Sequence, residues 1–236
     1  MIVISQPTYL PWVGYFSLIN EAKTFIFLDD VQFNSRSWQQ RNRVLNNDMV
    51  KYLTIPVKKK GKKDQLICNT SIDDKTIFQQ HIKMINHFYS KSKFFNEYFN
   101  FFEKILSECE KYNYLSEVNA FLIEKISELL KLDYNFNLSS KISSTGYKSD
   151  KLISICKSLN QEKYLTNEGA MIYLNKDLHK FKKNKVDLYK ITFEKIKYNQ
   201  LSNSFKENLS IVDVVFNEGP NTINIIRNSY KIKKIL

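Results

Sequence analysis

The chain has 236 residues, 43% hydrophobic and 25% charged, which is enough apolar material for the core of one large α/β domain, with or without a helical insertion. No apolar run approaches the ~20 residues of a membrane-spanning helix, the N-terminus lacks the basic region and small-residue cleavage site of a signal peptide, and the three cysteines, Cys68, Cys109 and Cys156, are too few and too scattered for a disulfide framework or a paired zinc site, so a reducing, cytoplasmic compartment is expected. The formal charge of +12 has two readings: an acidic partner, or the Lys, Asn and Ile bias of an AT-rich genome, in which runs such as "KKKGKK" (58–63) are simply solvated.

In chain order, "MIVIS" (1–5) reads as a buried strand, and "PWVGYFSLINEA" (11–22) as a loop and helix with Pro11 tolerated at its first turn. "TFIFLDD" (24–30) is a second buried strand that ends in two carboxylates. "KYLTIPV" (51–57) reads as a third, and residues 58–74 as an exposed excursion. Apolar residues at three- and four-residue spacing predict helices over 76–90, 97–112 and 116–132. Then follow a strand at 134–140, a helix at 148–160 with Ser149 as N-cap, a strand and loop at 162–170, a helix at 171–184 and a strand at 186–193. "LSIVDVVFNEGP" (209–220) reads as a capped helix stopped by Gly219 and Pro220, with Asp213 capping or pairing inside it. This alternation predicts an α/β fold: a mostly parallel, Rossmann-like, doubly wound sheet with a helical insertion. One globular unit is expected, with an N-terminal α/β half (1–73), a helical subdomain (74–132) and a C-terminal α/β half (133–236).

Two loops stand out. "SQPTYLPWVGYF" (5–16) holds two of the four prolines and one of the two tryptophans. A connecting loop would use Gly, Asn or Ser; here the prolines stiffen a short segment, and Tyr9, Trp12 and Tyr15 offer a rigid aromatic surface. The alternative is a hydrophobic lid on the sheet edge, built by Trp12 and Phe16. "SRSWQQRNR" (35–43) holds Trp38 and three of the four arginines in a chain that otherwise prefers lysine. Arg36, Arg41 and Arg43 supply planar forks suited to phosphate or carboxylate; the alternative is a structural network with Asp29 and Asp30.

Ligands of open α/β sheets bind beyond the carboxyl ends of the strands. Both loops fall there, as do "SSKISST" (139–145) and "TNEGA" (166–170). The expected substrate-binding residues are therefore Tyr9, Trp12, Tyr15, Asp29, Gln32, Arg36, Trp38, Arg41, Asn42, Arg43, Thr166 and Asn167. Asp30 is the expected proton acceptor and Gln6 the group that polarises the reacting atom, with the nearby arginines favouring ionised carboxylates. No metal site is expected: His81 and His87 are six residues apart on one helix and His179 is remote. Cys109 and Cys156 lie on apolar helix stripes, whereas Cys68 falls in a loop.

The motifs "ISQPTYLPWVGYFSLI", "FIFLDDVQFNSRSWQQRNRV", "YLTIPV", "YLTNEGAMIYL" and "LSIVDVVFNEGP", in this order, resemble the WbqC-like family over nearly the whole chain. The resemblance implies a role in O-antigen and other surface-polysaccharide (lipopolysaccharide-type) biosynthesis, without a defined reaction. The start of the chain is also similar to nucleotidyltransferases with a His-x-Gly-His signature, but Trp12-Val13-Gly14-Tyr15 stands in its place and lacks both imidazoles, which would stabilise the transferring phosphoryl group.

Two function classes follow. One is a transferase modifying a nucleotide-linked amino sugar, an anionic substrate, by acyl or aminoacyl transfer from coenzyme A or an acidic carrier-protein thioester, with no other cofactor required. The alternative is a non-catalytic glycan- or nucleotide-sugar-binding partner of an assembly complex. A pocket lined by both loops favours the enzyme, and a flat surface the binder. Nucleic-acid binding ranks third, because the lysines form no recognisable module.

Overall fold

A computed structural model describes residues 1–62, 64–194 and 196–236. The sheet has the order β5-β2-β1-β6-β7-β8, built from β1 (Ile2–Ser5), β2 (Thr24–Phe27), β5 (Phe136–Leu138), β6 (Lys163–Asn167), β7 (Asp187–Phe193) and β8 (Tyr230–Lys234). The first five run parallel, and β8 closes the edge antiparallel to β7. Along β1, Val3 points into one core, whereas Ile2 and Ile4 point into a second. This period-two alternation covers both faces with helices. The first core packs α1 (Val13–Glu21), α2 (Ile77–Tyr89), α3 (Phe95–Glu108), α4 (Leu115–Leu129) and α8 (Ile211–Glu218), with α9 (Thr222–Arg227) set against α1. The second packs α5 (Ser149–Ser158), α6 (Glu168–Leu174) and α7 (Leu178–Lys183). The fold is the expected mostly parallel α/β sheet, and the helices between 77 and 129 share their core with α1 and α8.

Residues 51–57 depart from expectation. They do not add a parallel strand: β3 (Arg41–Asn46) and β4 (Met49–Thr54) form a separate antiparallel hairpin. Its turn is Asn47-Asp48, with Asn47 at φ +52°, the left-handed start of a tight hairpin turn. A strand inside a parallel sheet is apolar on both faces, yet β4 exposes Met49, Lys51 and Tyr52. The last third of the Arg-rich segment, Arg41–Arg43, is thus strand and not loop. Residues 58–62 are exposed, and Lys63 of the basic run lies outside the described residues. The helix expected at 171–184 starts earlier and is broken by a short 3₁₀ turn at Asn175–Asp177. Ser149 is the first helical residue of α5, behind a cap at Lys148.

Helix α8 begins and ends as its sequence predicts. Ser210 accepts the Val212 N–H, and Gly219 ends α8 at φ +50°. A Cβ on Gly219 would also meet the Phe94 ring at 2.6 Å. Gly219→Ala is expected to cost about 1–3 kcal/mol from this overpacking, read as a lowered midpoint in urea. An unchanged midpoint would show that the ring yields freely.

Candidate functional site

The prolines of the first loop sit in a segment fastened on every side. Leu10 is buried and left-handed at φ +42°, a conformation that costs a non-glycine residue about 1–3 kcal/mol unless its surroundings impose it. Asn42 Nδ2 donates to the carbonyls of Tyr9 (3.0 Å) and Leu10 (2.9 Å). Ser210 Oγ donates to the same Leu10 carbonyl at 2.8 Å, and the Ile211 N–H to that of Pro11 at 2.8 Å. From α4, Asn119 Nδ2 donates to Pro7 O (3.1 Å) and Gln39 O (2.8 Å). The Tyr9 N–H donates to Trp38 O at 3.0 Å, and Gln39 Nε2 to Gln6 Oε1 at 2.8 Å. The two unusual loops and the start of α8 are therefore one polar construction.

That construction walls a cleft of about 530 Å³ beyond the carboxyl ends of β1 and β6. From β1 the chain proceeds outward to β2 and β5; from β6 it proceeds the other way to β7. The cleft thus occupies the point where the winding reverses, the position at which doubly wound sheets hold ligands. Gln6, Thr8, Trp12 and Tyr15 line it from the first loop and α1; Trp38, Asn42 and Arg43 from the second; Thr166, Asn167, Gly169 and Tyr173 from β6 and α6. Trp12 is placed by a glycine: a Cβ on Gly14 would lie 2.3 Å from the Trp12 ring, so the indole folds onto bare backbone. The indole also meets the Phe193 ring edge-on, with centroids 4.8 Å apart. Arg43 stacks toward Trp38 at 5.5 Å and donates through Nη2 to the carbonyls of Glu207 (2.8 Å) and Asn208 (3.1 Å). The Tyr15 hydroxyl donates to Gln6 O at 3.1 Å, that of Tyr164 to Thr166 Oγ1 at 3.3 Å, and Asn167 Oδ1 accepts the Ala170 N–H at 3.0 Å. A stacking wall, a guanidinium and several short polar groups can hold a flat ring and an anion together.

Several expected residues lie elsewhere. Tyr9 is buried, and its hydroxyl meets His81 Nδ1 at 2.8 Å, so its ring belongs to the core and not to an aromatic surface. Arg41 pairs with Thr54 in the hairpin and reaches diagonally over the Tyr52 ring at 4.5 Å, and Arg36 is exposed. Gln32 bonds Asp64 at 3.2 Å on the surface. None of these four lines the cleft, so the arginine cluster is split, with Arg43 alone at the site.

Asp29 and Asp30 also stay outside the lining, and no arginine is their partner. Asp29 accepts from Ser139 Oγ (3.1 Å), Ser140 N (2.9 Å) and Ser140 Oγ (2.8 Å). Asp30 accepts from Ser139 Oγ and pairs with Lys151 Nζ at 2.6 Å. The alternative reading, an Arg–carboxylate network, does not form; a Ser–Lys one ties the end of β2 to the start of α5. Lys151 gave no sequence signal among so many lysines; Ser139 and Ser140 did, in the strand-end run "SSKISST". Burial and these two carboxylates push the Cys68 thiol up, away from a reactive thiolate. Burial also raises the thiol of Cys109, and that of Cys156 to about 12.

The other histidine and acid singled out by the sequence are buried. Burial pushes the His81 imidazole down to about 4. Asp213 is enclosed, accepting from the hydroxyls of Tyr89 (2.9 Å) and Tyr198 (2.7 Å), and burial raises its carboxyl to about 6 despite those bonds. Tyr89 in turn accepts the Leu45 N–H of β3 at 2.9 Å, so Asp213 braces the hairpin. Among the described residues, no three His, Cys, Asp or Glu side chains gather as metal ligands, and no helix is long and apolar enough to cross a membrane.

Comparison with known proteins gives a consistent pattern. The sequence profile described as the WbqC-like protein family matches residues 6–225. The chain is 28% identical over 227 residues to the uncharacterized protein Rv1507c of Mycobacterium tuberculosis, covering 96% of this chain and 97% of that one. No solved structure matches.

Proposed function

The chain belongs to the WbqC-like protein family, and on that premise we propose that it is a transferase of bacterial surface-polysaccharide biosynthesis that binds a nucleotide-linked sugar in the β1/β6 cleft. The observation that carries this reading is the convergence of both sequence-marked loops on one concave site at the winding reversal. A cleft walled by both loops favours the enzyme over a non-catalytic recognition partner, for which a flat surface is the expected arrangement. Trp38 and Trp12 are the stacking partners for the base, and Arg43 with Thr166 and Asn167 faces the phosphates. Gln6 polarises the reacting group: its Oε1 is occupied by Gln39, which leaves its amide hydrogens as donors. The group transferred is acyl or aminoacyl, from coenzyme A or an acidic carrier-protein thioester.

Both tryptophans line the cleft, so intrinsic fluorescence reports directly on it. A nucleotide sugar is expected to quench that fluorescence and raise the melting temperature. Trp38→Ala, an exposed position that folding does not need, should weaken binding by about ten- to a hundredfold, the loss of one base stack. Stabilisation by none of a panel of nucleotide sugars, nucleotides and coenzyme A thioesters would reject the reading.

A further inference from the structure

Behind Trp12 lies a second cavity, of about 440 Å³, within the size range of small-molecule sites. It is not an extension of the same chemistry. The first cleft carries Arg43; the second is lined by three carboxylates, Glu168, Glu194 and Glu207, and among the described residues no lysine or arginine lines it. That is the reverse of what a chain of net charge +12 presents at random. Its other walls are aromatic: Trp12 set edge-on to Phe193, and Tyr198 set edge-on to Phe205 at 5.4 Å. Glu168 and Glu194 reach Lys190 (3.3 Å) and Lys231 (2.5 Å) yet remain 59% and 48% exposed, so both carboxylates keep open coordination.

The two cavities meet. Trp12 and Asn208 line both, and Glu168 of the second sits between Asn167 and Gly169 of the first. One indole, held in place because residue 14 has no side chain, is their common wall.

We propose that this second cavity binds the amine-bearing sugar ring of the substrate, so that one ligand straddles Trp12. Aromatic faces suit the apolar face of a sugar ring and attract an ammonium group, and carboxylates accept its N–H and O–H donors. This inference rests on the nucleotide-sugar reading of the first cleft and adds to it the place that the amino sugar occupies and the groups that recognise its amine.

The test uses the full chain and four probes: glucosamine, glucose, UDP and UDP-glucosamine, with binding followed by saturation-transfer NMR and tryptophan fluorescence. Glucosamine is expected to bind at least tenfold more tightly than glucose. Glu168→Gln and Phe205→Ala should each remove that preference while leaving UDP affinity within twofold, and UDP-glucosamine should bind more tightly than either fragment. Equal binding of glucose and glucosamine, or a preference that survives both substitutions, overturns the proposal. Binding of glucosamine with no binding of UDP keeps this cavity's assignment and overturns the nucleotide reading instead.

Discussion

Gly14→Ala is expected to abolish measurable ligand binding while most of the fold survives. The added methyl would sit 2.3 Å from the Trp12 ring, inside any permitted contact, and a rigid indole cannot flex away as a lysine could. Trp12 must therefore leave the wall that both cavities share, which gives up its edge contact with Phe193. Helix propensity alone would make the change favourable, because alanine is a better helix residue than glycine by about 1 kcal/mol. The steric term decides the sign: overpacking costs about 1–3 kcal/mol, and a wall displaced by an ångström loses about a hundredfold in a positioned site. The check is paired. Fluorescence of the free protein should shift as Trp12 becomes solvated, and the affinity for a nucleotide sugar should fall at least a hundredfold. An alanine variant with raised stability and full affinity would show that the glycine has another purpose.

The second large effect is on pH dependence. His81 is held down to about 4, so between its unfolded value of 6.5 and that figure the unfolded chain binds the extra proton. Its contribution is present above pH 6.5 and is lost as pH falls through about 4. Asp213 has the opposite sign. Its folded carboxyl titrates near 6 against 3.8 unfolded, so its contribution is present below 3.8 and is lost as pH rises through 6. Each shift is about 3 kcal/mol, and the windows overlap, so in the native chain the two slopes largely cancel. Single variants should unmask them. Relative to the native protein, Asp213→Asn should gain a stability curve that climbs by about 3 kcal/mol between pH 4 and 6.5, and His81→Gln one that falls by as much over the same range. Urea titrations at four pH values measure this; three parallel curves would mean that neither group titrates in the fold.

The centre of the sheet is readable because β1 and β2 carry the apolar runs that burial on two faces requires, in "MIVI" and "FIF", whereas β5 and β7 carry polar residues and are placed by the alternation of strands with helices. The hairpin is hidden because Arg41–Asn46, "RNRVLN", opens on three polar residues and lacks the polar–apolar alternation of a half-buried strand, so its arginines read as a binding loop. The site was legible where composition was unusual. Two prolines and two tryptophans marked loops that do meet, and Trp12, Tyr15, Trp38, Arg43, Thr166 and Asn167 do line one cleft. It was illegible where the decisive fact is a partner far along the chain. Tyr9 is drawn inward by His81, and Asp30 by Lys151, neither of which any local pattern links to it. Asn119 and Ser210 hold the first loop from more than a hundred residues away, and Asn208 joins two cavities from a segment without a motif. The contrast between Arg41 and Arg43 is of the same kind. Their residue type and spacing are alike, but the first spends its guanidinium on Tyr52 across the hairpin.

The most direct measurement is a crystal structure of the protein with UDP-glucosamine. Density is expected beyond the carboxyl ends of β1 and β6, with the uracil between the Trp12 and Trp38 walls, the diphosphate near Arg43 and Thr166, and the amino sugar on the far side of Trp12 among Glu168, Phe205 and Glu207. Density over any other part of the molecule, or a fully ordered empty cleft at saturating ligand, would contradict it.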